Sequence, residues 1–135
     1  MEEKVKWTEV VCAIIESGNK ILCVQRSQKM KLPYKWEFPG GKLIPGESES
    51  KGLRREIKEE LNIDILVLKR LIPNYHIYPN GVSIKLIPFQ CQIMKGEIKL
   101  LEHLEYKWLD PNDLSKLDWA EADIPIFKQI EHLNL

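Results

Sequence analysis

The stretch from Glu47 to Glu60 is the most heavily charged part of this chain, with nine charged residues in fourteen. Spacing decides what such a run can do. With residues placed about 100° apart around a helix axis, Leu53, Ile57 and Leu61 fall in one arc about 80° wide, which must face a core. Lys51, Arg54, Arg55 and Lys58 fall on the far side, toward solvent. Glu56, Glu59 and Glu60 share a third arc about 100° wide, on one flank of the apolar face. Like charges at i, i+3 and i+4 destabilise a helix by roughly a few tenths of a kcal/mol per pair, so selection for helix stability alone would intersperse lysines. Carboxylates converging beside an apolar edge suit a hard divalent cation such as Mg²⁺, which takes oxygen ligands. By itself the arc fits a solvated face equally well.

The residues before the helix add to the pattern. Phe38-Pro39-Gly40-Gly41-Lys42 reads as a Gly-rich turn, leading through Pro45-Gly46-Glu47 to the helix start. Glycines let the backbone approach a metal or phosphate closely, although Gly40 could equally serve a tight turn alone. Taken together, Gly41, Glu47, Arg55-Glu56-Ile57, Glu59-Glu60 and Ile63 resemble the Nudix hydrolase signature: Gly, five residues, Glu, seven residues, then Arg-Glu-aliphatic-x-Glu-Glu-x-Gly-aliphatic. Background residue frequencies give such a match a chance on the order of one in a hundred million per start position. The single departure is Asn62 in place of Gly, and Asn is the next-best residue for a left-handed cap. Trp36 to Lys42 and Ala122-Asp123-Ile124-Pro125 look like the MutT-like nucleotide pyrophosphohydrolases, nearest the branch acting on CTP and modified pyrimidine nucleotides.

The resemblance implies hydrolysis of a nucleoside triphosphate to monophosphate and pyrophosphate, with Mg²⁺ (or Mn²⁺ as substitute) neutralising the polyphosphate and activating water. It implies Glu56, Glu59 and Glu60 as metal ligands, with the Gly41 carbonyl, and Glu47 and Arg55 orienting them. A late-loop carboxylate is expected as a further ligand or general base; Glu102, six residues before Trp108, is favoured over Glu105. Arg26, Glu37, Phe38, Lys42, Tyr78 and Asp123 are the expected substrate contacts. Phe38 and Tyr78 would wall the base, while Arg26 would meet base or phosphate and Lys42 phosphate. Asp123 falls where these enzymes read the base edge. An ionised carboxylate only accepts hydrogen bonds and so favours an exocyclic amine such as cytosine N4; the alternative is that Asp123 caps the last helix. No arginine lies in Tyr78 to Ile84 to mirror one contacting guanine, which counts against a specialist for 8-oxo-dGTP. His103 is expected to be exposed and inert, and His76 and His132 carry no pattern. Cytidine-type nucleotides lead as substrates and oxidised purine nucleotides follow, in nucleotide-pool sanitation. Dinucleoside polyphosphates, nucleotide sugars, capped RNA ends and a non-catalytic nucleotide sensor are the alternatives.

The elements that must position these residues follow from local patterns. Lys6 to Ile15 and Lys20 to Arg26 are β-rich runs separated by Glu16-Ser17-Gly18-Asn19, which predicts a hairpin. Ser27 to Lys35 is a polar, basic loop, and Trp36-Glu37-Phe38 a short strand cut off by Pro39-Gly40-Gly41. A helix runs from near Ser48, its N-cap, to about Leu61, with Asn62 as C-terminal cap. Ile63 to Tyr78 and Val82 to Met94 read as two long strands joined around Pro79-Asn80-Gly81, and Tyr106 to Leu109 as a short one. Pro111-Asn112-Asp113 begins a loop or helical turn. Asp123 to Leu133 is a final helix with Pro125 in its first turn. This order predicts an α/β (α+β) fold, an α/β/α sandwich around a mixed sheet, as one domain over 1–135.

Composition sets the remaining bounds. The 135 residues hold 20 Lys+Arg against 20 Asp+Glu, so no long positive stripe for stable nucleic-acid binding is expected. No apolar run approaches the roughly 18 residues of a membrane span, and Met1 to Lys6 does not read as a leader. Cys12, Cys23 and Cys91 read as buried free thiols of a cytoplasmic protein. The expected partner is a small-molecule nucleotide, met by a monomer or weak homodimer.

Overall fold

The computed structural model describes residues 5–133; Met1 to Lys4, on which the expectation of no leader mostly rests, lie outside them. In chain order the elements are β1 (Thr8–Ser17), β2 (Lys20–Gln25), β3 (Trp36–Glu37), β4 (Gly40–Lys42), α1 (Glu49–Leu61), β5 (Asp64–Arg70), β6 (Asn74–Ile77), β7 (Ser83–Lys95), β8 (Glu105–Leu109) and α2 (Ile124–Leu133), with 3₁₀ turns at Pro111–Lys116 and Glu121–Asp123.

Strand β1 is buried at five consecutive positions, Val11 to Ile15, because helices cover both faces of the sheet around it. Its alternating side chains feed two cores. Val11, Ala13 and Ile15 pack with Leu53, Ile57 and Leu61 of α1, while Cys12 and Ile14 pack with Ile126, Phe127 and Ile130 of α2. The arc of Leu53, Ile57 and Leu61 is fully buried as its spacing requires, and each such side chain contributes about 1.5–3 kcal/mol by leaving water. The sandwich and mixed sheet follow: β1 pairs with β7 in parallel and the other ladders are antiparallel. All three thiols are free and buried. Burial pushes Cys23 and Cys91 up to about 12 and Cys12 well above its ordinary range, so they are inert packing groups. No helix among the described residues is long and apolar enough to cross a membrane.

Three expectations are corrected. The β1–β2 hairpin holds only at its base, Glu16↔Ile21 and Ser17↔Lys20. Beyond it the strands part, and residues 36–42 wedge between them: β3 pairs with the end of β2, β4 with Val10 to Cys12 of β1, and the Pro39 carbonyl accepts from the Ala13 amide. Gly40-Gly41 are therefore strand residues rather than a turn that ends one. A Cβ on Gly40 would collide with the Val11 carbonyl, so only glycine lets this wedge close on β1. Lastly, the expected strand from Ile63 to Tyr78 breaks between Arg70 and Asn74, at Pro73, into β5 and β6, both still paired with β7.

Helix α1 is capped as its sequence predicts. Ser48 accepts from the Lys51 amide at 3.2 Å. Asn62 adopts φ 59° and ψ 31°, and its amide donates to the Lys58 carbonyl.

Candidate active site

A cavity of about 760 Å³ lies where the wedge, the N-terminal half of β1, α1 and the turn from β6 to β7 meet. Its two ends differ in chemistry. One carries the carboxylates of Glu37, Glu56, Glu60 and Glu102; the other is lined by Phe38, Tyr78, Ile84, Leu86 and Ala122, with Asp123 among them. Ten of the thirteen expected site residues line this space: Arg26, Glu37, Phe38, Gly41, Lys42, Glu56, Glu60, Tyr78, Glu102 and Asp123. Glu47, Arg55 and Glu59 are not among its lining residues.

At the acidic end, the three carboxylates of the α1 flank are graded in depth rather than equivalent. Glu60 is buried, Glu56 is half-buried and Glu59 is exposed. Burial first, then the charges of Glu37, Glu102 and Glu56, push the Glu60 carboxyl well above the usual carboxylate range, opposed by a hydrogen bond from the Gly40 amide. Burial also raises Glu56, with Arg55 opposing. Arg55 corrects the helical-wheel reading, which placed it toward solvent. Its guanidinium reaches back along α1 to grip Glu47 with two bonds, at 2.7 and 3.1 Å, Glu56 at 2.9 Å and the Lys42 carbonyl at 3.2 Å. The hydrogen bonds from Arg55 hold Glu47 down at about 2. Such a planar fork suits Arg and not Lys. Gly41 completes the corner, because a Cβ there would strike the Glu56 carboxylate.

The late loop is positioned by the end of the same helix. The last carbonyls of an α-helix lack intrahelical partners; here the Lys99 amide donates to the Leu61 carbonyl at 2.9 Å and the Leu101 amide to the Glu60 carbonyl at 3.0 Å. Those bonds bring Glu102 into the cavity, within electrostatic reach of Glu56 and Glu60. Glu105 instead starts β8, exposed and paired with Gln25. His103 corrects the sequence expectation. It is buried, its Nε2 is 2.8 Å from Glu37 Oε2, and its Nδ1 faces Glu60 Oε2 at 3.6 Å. The only sequence signal for it was adjacency to Glu102.

At the apolar end, Asp123 is buried and its Oδ2 accepts from the Phe38 amide at 3.0 Å, across 85 residues. The carboxylate thus ties the wedge to the entry of α2. Burial first, and Glu37 second, push Asp123 well above its ordinary range. Phe38 packs against Trp119 with ring centroids 4.7 Å apart, and the Tyr78 hydroxyl accepts from the Ala122 amide at 3.1 Å. Arg26 is committed to Glu37 Oε1 at 2.8 Å and to the Lys31 carbonyl. Both Glu37 oxygens are therefore engaged within the protein, which moves this residue from substrate contact to support. Lys42 is exposed at the rim.

The donor set fits a divalent cation. Three carboxylates with an oxygen to spare, those of Glu56, Glu60 and Glu102, face one space, and Glu60 Oε2 is sealed from solvent without a hydrogen-bond partner. Among the described residues, no three acidic, histidine or cysteine side chains already form a closed cage. Glu59 leans on Arg55 at 3.4 Å, where the guanidinium serves as the local counter-charge.

The NUDIX domain model matches residues 6–130. The CTP pyrophosphohydrolase of Escherichia coli K12 is 35% identical over 123 residues, 91% of this chain and 90% of its own length. The 8-oxo-dGTP diphosphatase of Buchnera aphidicola is 30% identical over 128 residues, 95% of this chain and 96% of its own. Among solved structures, the MutT protein of methicillin-resistant Staphylococcus aureus 252, described as a Nudix hydrolase, superposes with a TM-score of 0.76 at 45% identity, covering 96% of this chain and 98% of that one. The signature on α1, the wedge that backs it and these relatives agree: this chain belongs to the NUDIX domain family of hydrolases.

Proposed function

We propose that this chain is a Mg²⁺-dependent nucleoside triphosphate pyrophosphohydrolase, with Mn²⁺ as substitute, releasing a nucleoside monophosphate and pyrophosphate. CTP, dCTP and 5-substituted pyrimidine nucleotides are its leading substrates, in sanitation of the nucleotide pool. One observation carries the reading: a single cavity joins a carboxylate cluster to an apolar slot with one buried polar group, the two chemistries a nucleotide presents. When bound, the cation neutralises polyphosphate charge and lowers the pKa of a coordinated water.

The residues have distinct tasks. Glu56 and Glu60, with the Gly41 carbonyl, would hold the cation, Glu59 would join them on leaving Arg55, and Glu47 and Arg55 would orient the set. Glu102, exposed at the cavity, takes the proton of the attacking water or completes the ligand set. Phe38 and Tyr78 flank the base, Lys42 meets the phosphate tail, and Arg26 steadies the basic loop over the slot through Glu37 and Lys31. Asp123 reads the base edge with the capacity left after its bond to Phe38. Oxidised purine triphosphates are a second substrate group, an extension that the Buchnera relative supports.

The test is a panel of natural and modified (d)NTPs, nucleotide sugars and dinucleoside polyphosphates with Mg²⁺, scoring pyrophosphate against inorganic phosphate. Pyrophosphate release led by cytidine nucleotides is expected. Turnover confined to nucleotide sugars or dinucleotides would overturn the substrate class, and stoichiometric binding without turnover would make the chain a sensor.

A further inference from the structure

A row of side chains runs behind the cavity from its loop side to the carboxylates. Arg26 Nη1 meets Glu37 Oε1 at 2.8 Å, Glu37 Oε2 meets His103 Nε2 at 2.8 Å, and His103 Nδ1 faces Glu60 Oε2 at 3.6 Å. The His103 side chain has no exposure to solvent, and both Nδ1 and Glu60 Oε2 are buried without a hydrogen-bond partner. Orphaned buried polar atoms are rare and costly. Here two of them confront each other about half an ångström beyond hydrogen-bond range. His103 is itself held from behind by Glu37, and Glu37 by Arg26, while the Leu101 amide fixes the adjoining loop to the Glu60 carbonyl.

We infer that His103 is a positioning residue for Glu60: its Nδ1 edge anchors the buried oxygen Oε2 and so fixes the orientation of the carboxylate in the cavity wall. This rests on the proposal above that Glu60 holds the cation. In its place the ring stands where metal-binding sites use an outer partner to fix a ligand's orientation. The assignment makes the two ring nitrogens unequal. Nε2 serves the Glu37 support, whereas Nδ1 serves the ligand.

Asparagine and glutamine separate the two edges, because the shorter Asn amide reaches where Nδ1 stands and the longer Gln amide where Nε2 stands. The readout is the affinity of the nucleotide-free protein for Mn²⁺, by electron paramagnetic resonance titration, beside nucleotide KM and kcat. His103→Gln is expected to weaken Mn²⁺ binding by about tenfold or more and to lower kcat with little change in KM; His103→Asn is expected to stay near wild type. Equal losses in both variants, wild-type binding in both, or loss of folding by circular dichroism in either would overturn the inference in favour of simple packing. Glu60→Gln in parallel distinguishes the two levels. If it leaves Mn²⁺ binding intact, the role of Glu60 itself fails; if it abolishes binding while both His103 variants bind normally, only the inference fails.

Discussion

The two ends of the cavity are built on opposite principles. The acidic end concentrates like charges on one helix flank and answers them with the Arg55 guanidinium, two glycines that remove Cβ atoms and a loop pinned to the helix terminus. The apolar end places one buried carboxyl among packed rings and gives it one backbone partner. On the proposed function, the first stores electrostatic stress that a bound cation would relieve, whereas the second calls only for shape and one polar group.

The contrast can be broken by substitution, beginning where the effect should be greatest. Glu60→Gln should cut kcat/KM by more than about a hundredfold, exceeding the loss typical of an outer-shell partner, while leaving the fold intact; near-normal turnover would remove Glu60 from the site. The same change bears on stability. Because the native carboxyl is raised, the metal-free protein loses stability as pH rises from the ordinary carboxylate range toward that raised value. Glu60→Gln should therefore raise the metal-free melting temperature at neutral pH and not at pH 4, a cost of function that melting curves across pH would expose. Arg55→Lys should lower kcat about 10–100-fold, since Lys cannot grip Glu47 and Glu56 together; retained activity would make the fork incidental.

At the apolar end the effects should be smaller and fall on selectivity. Asp123→Ala should shift the CTP-to-GTP preference by roughly 1–3 kcal/mol, the range for one polar base contact. An unchanged ratio with a lowered melting temperature would reduce Asp123 to a tether for Phe38. Smallest of all, Asn62→Gly should stabilise the chain by roughly a few tenths of a kcal/mol without touching activity, by easing a left-handed cap that Asn already tolerates.

What was legible in the sequence follows the same division. Helical spacing placed Leu53, Ile57 and Leu61 in the core, and residue type placed Ser48 and Asn62 at the caps, because those depend on neighbours within a turn or two. It failed for Arg55, whose long side chain carries its charge away from where its Cα points. His103 reads as an exposed loop side chain, since its burial depends on amides donating to the end of α1, about forty residues earlier in sequence. The wedge of residues 36–42 was unreadable because Pro and Gly, read locally, end strands. Only the neighbouring β1 backbone shows that they pair. Asp123 was singled out by resemblance, but its bond to Phe38 and its raised pKa belong to the three-dimensional packing.

The most direct test of the account is product analysis on the wild-type protein with CTP. The protein is stripped by a chelator, assayed, and assayed again after Mg²⁺ is restored. No turnover is expected when stripped, and stoichiometric CMP and pyrophosphate should return with Mg²⁺. Pyrophosphate release that persists without any divalent cation, or inorganic phosphate as the product, would contradict it.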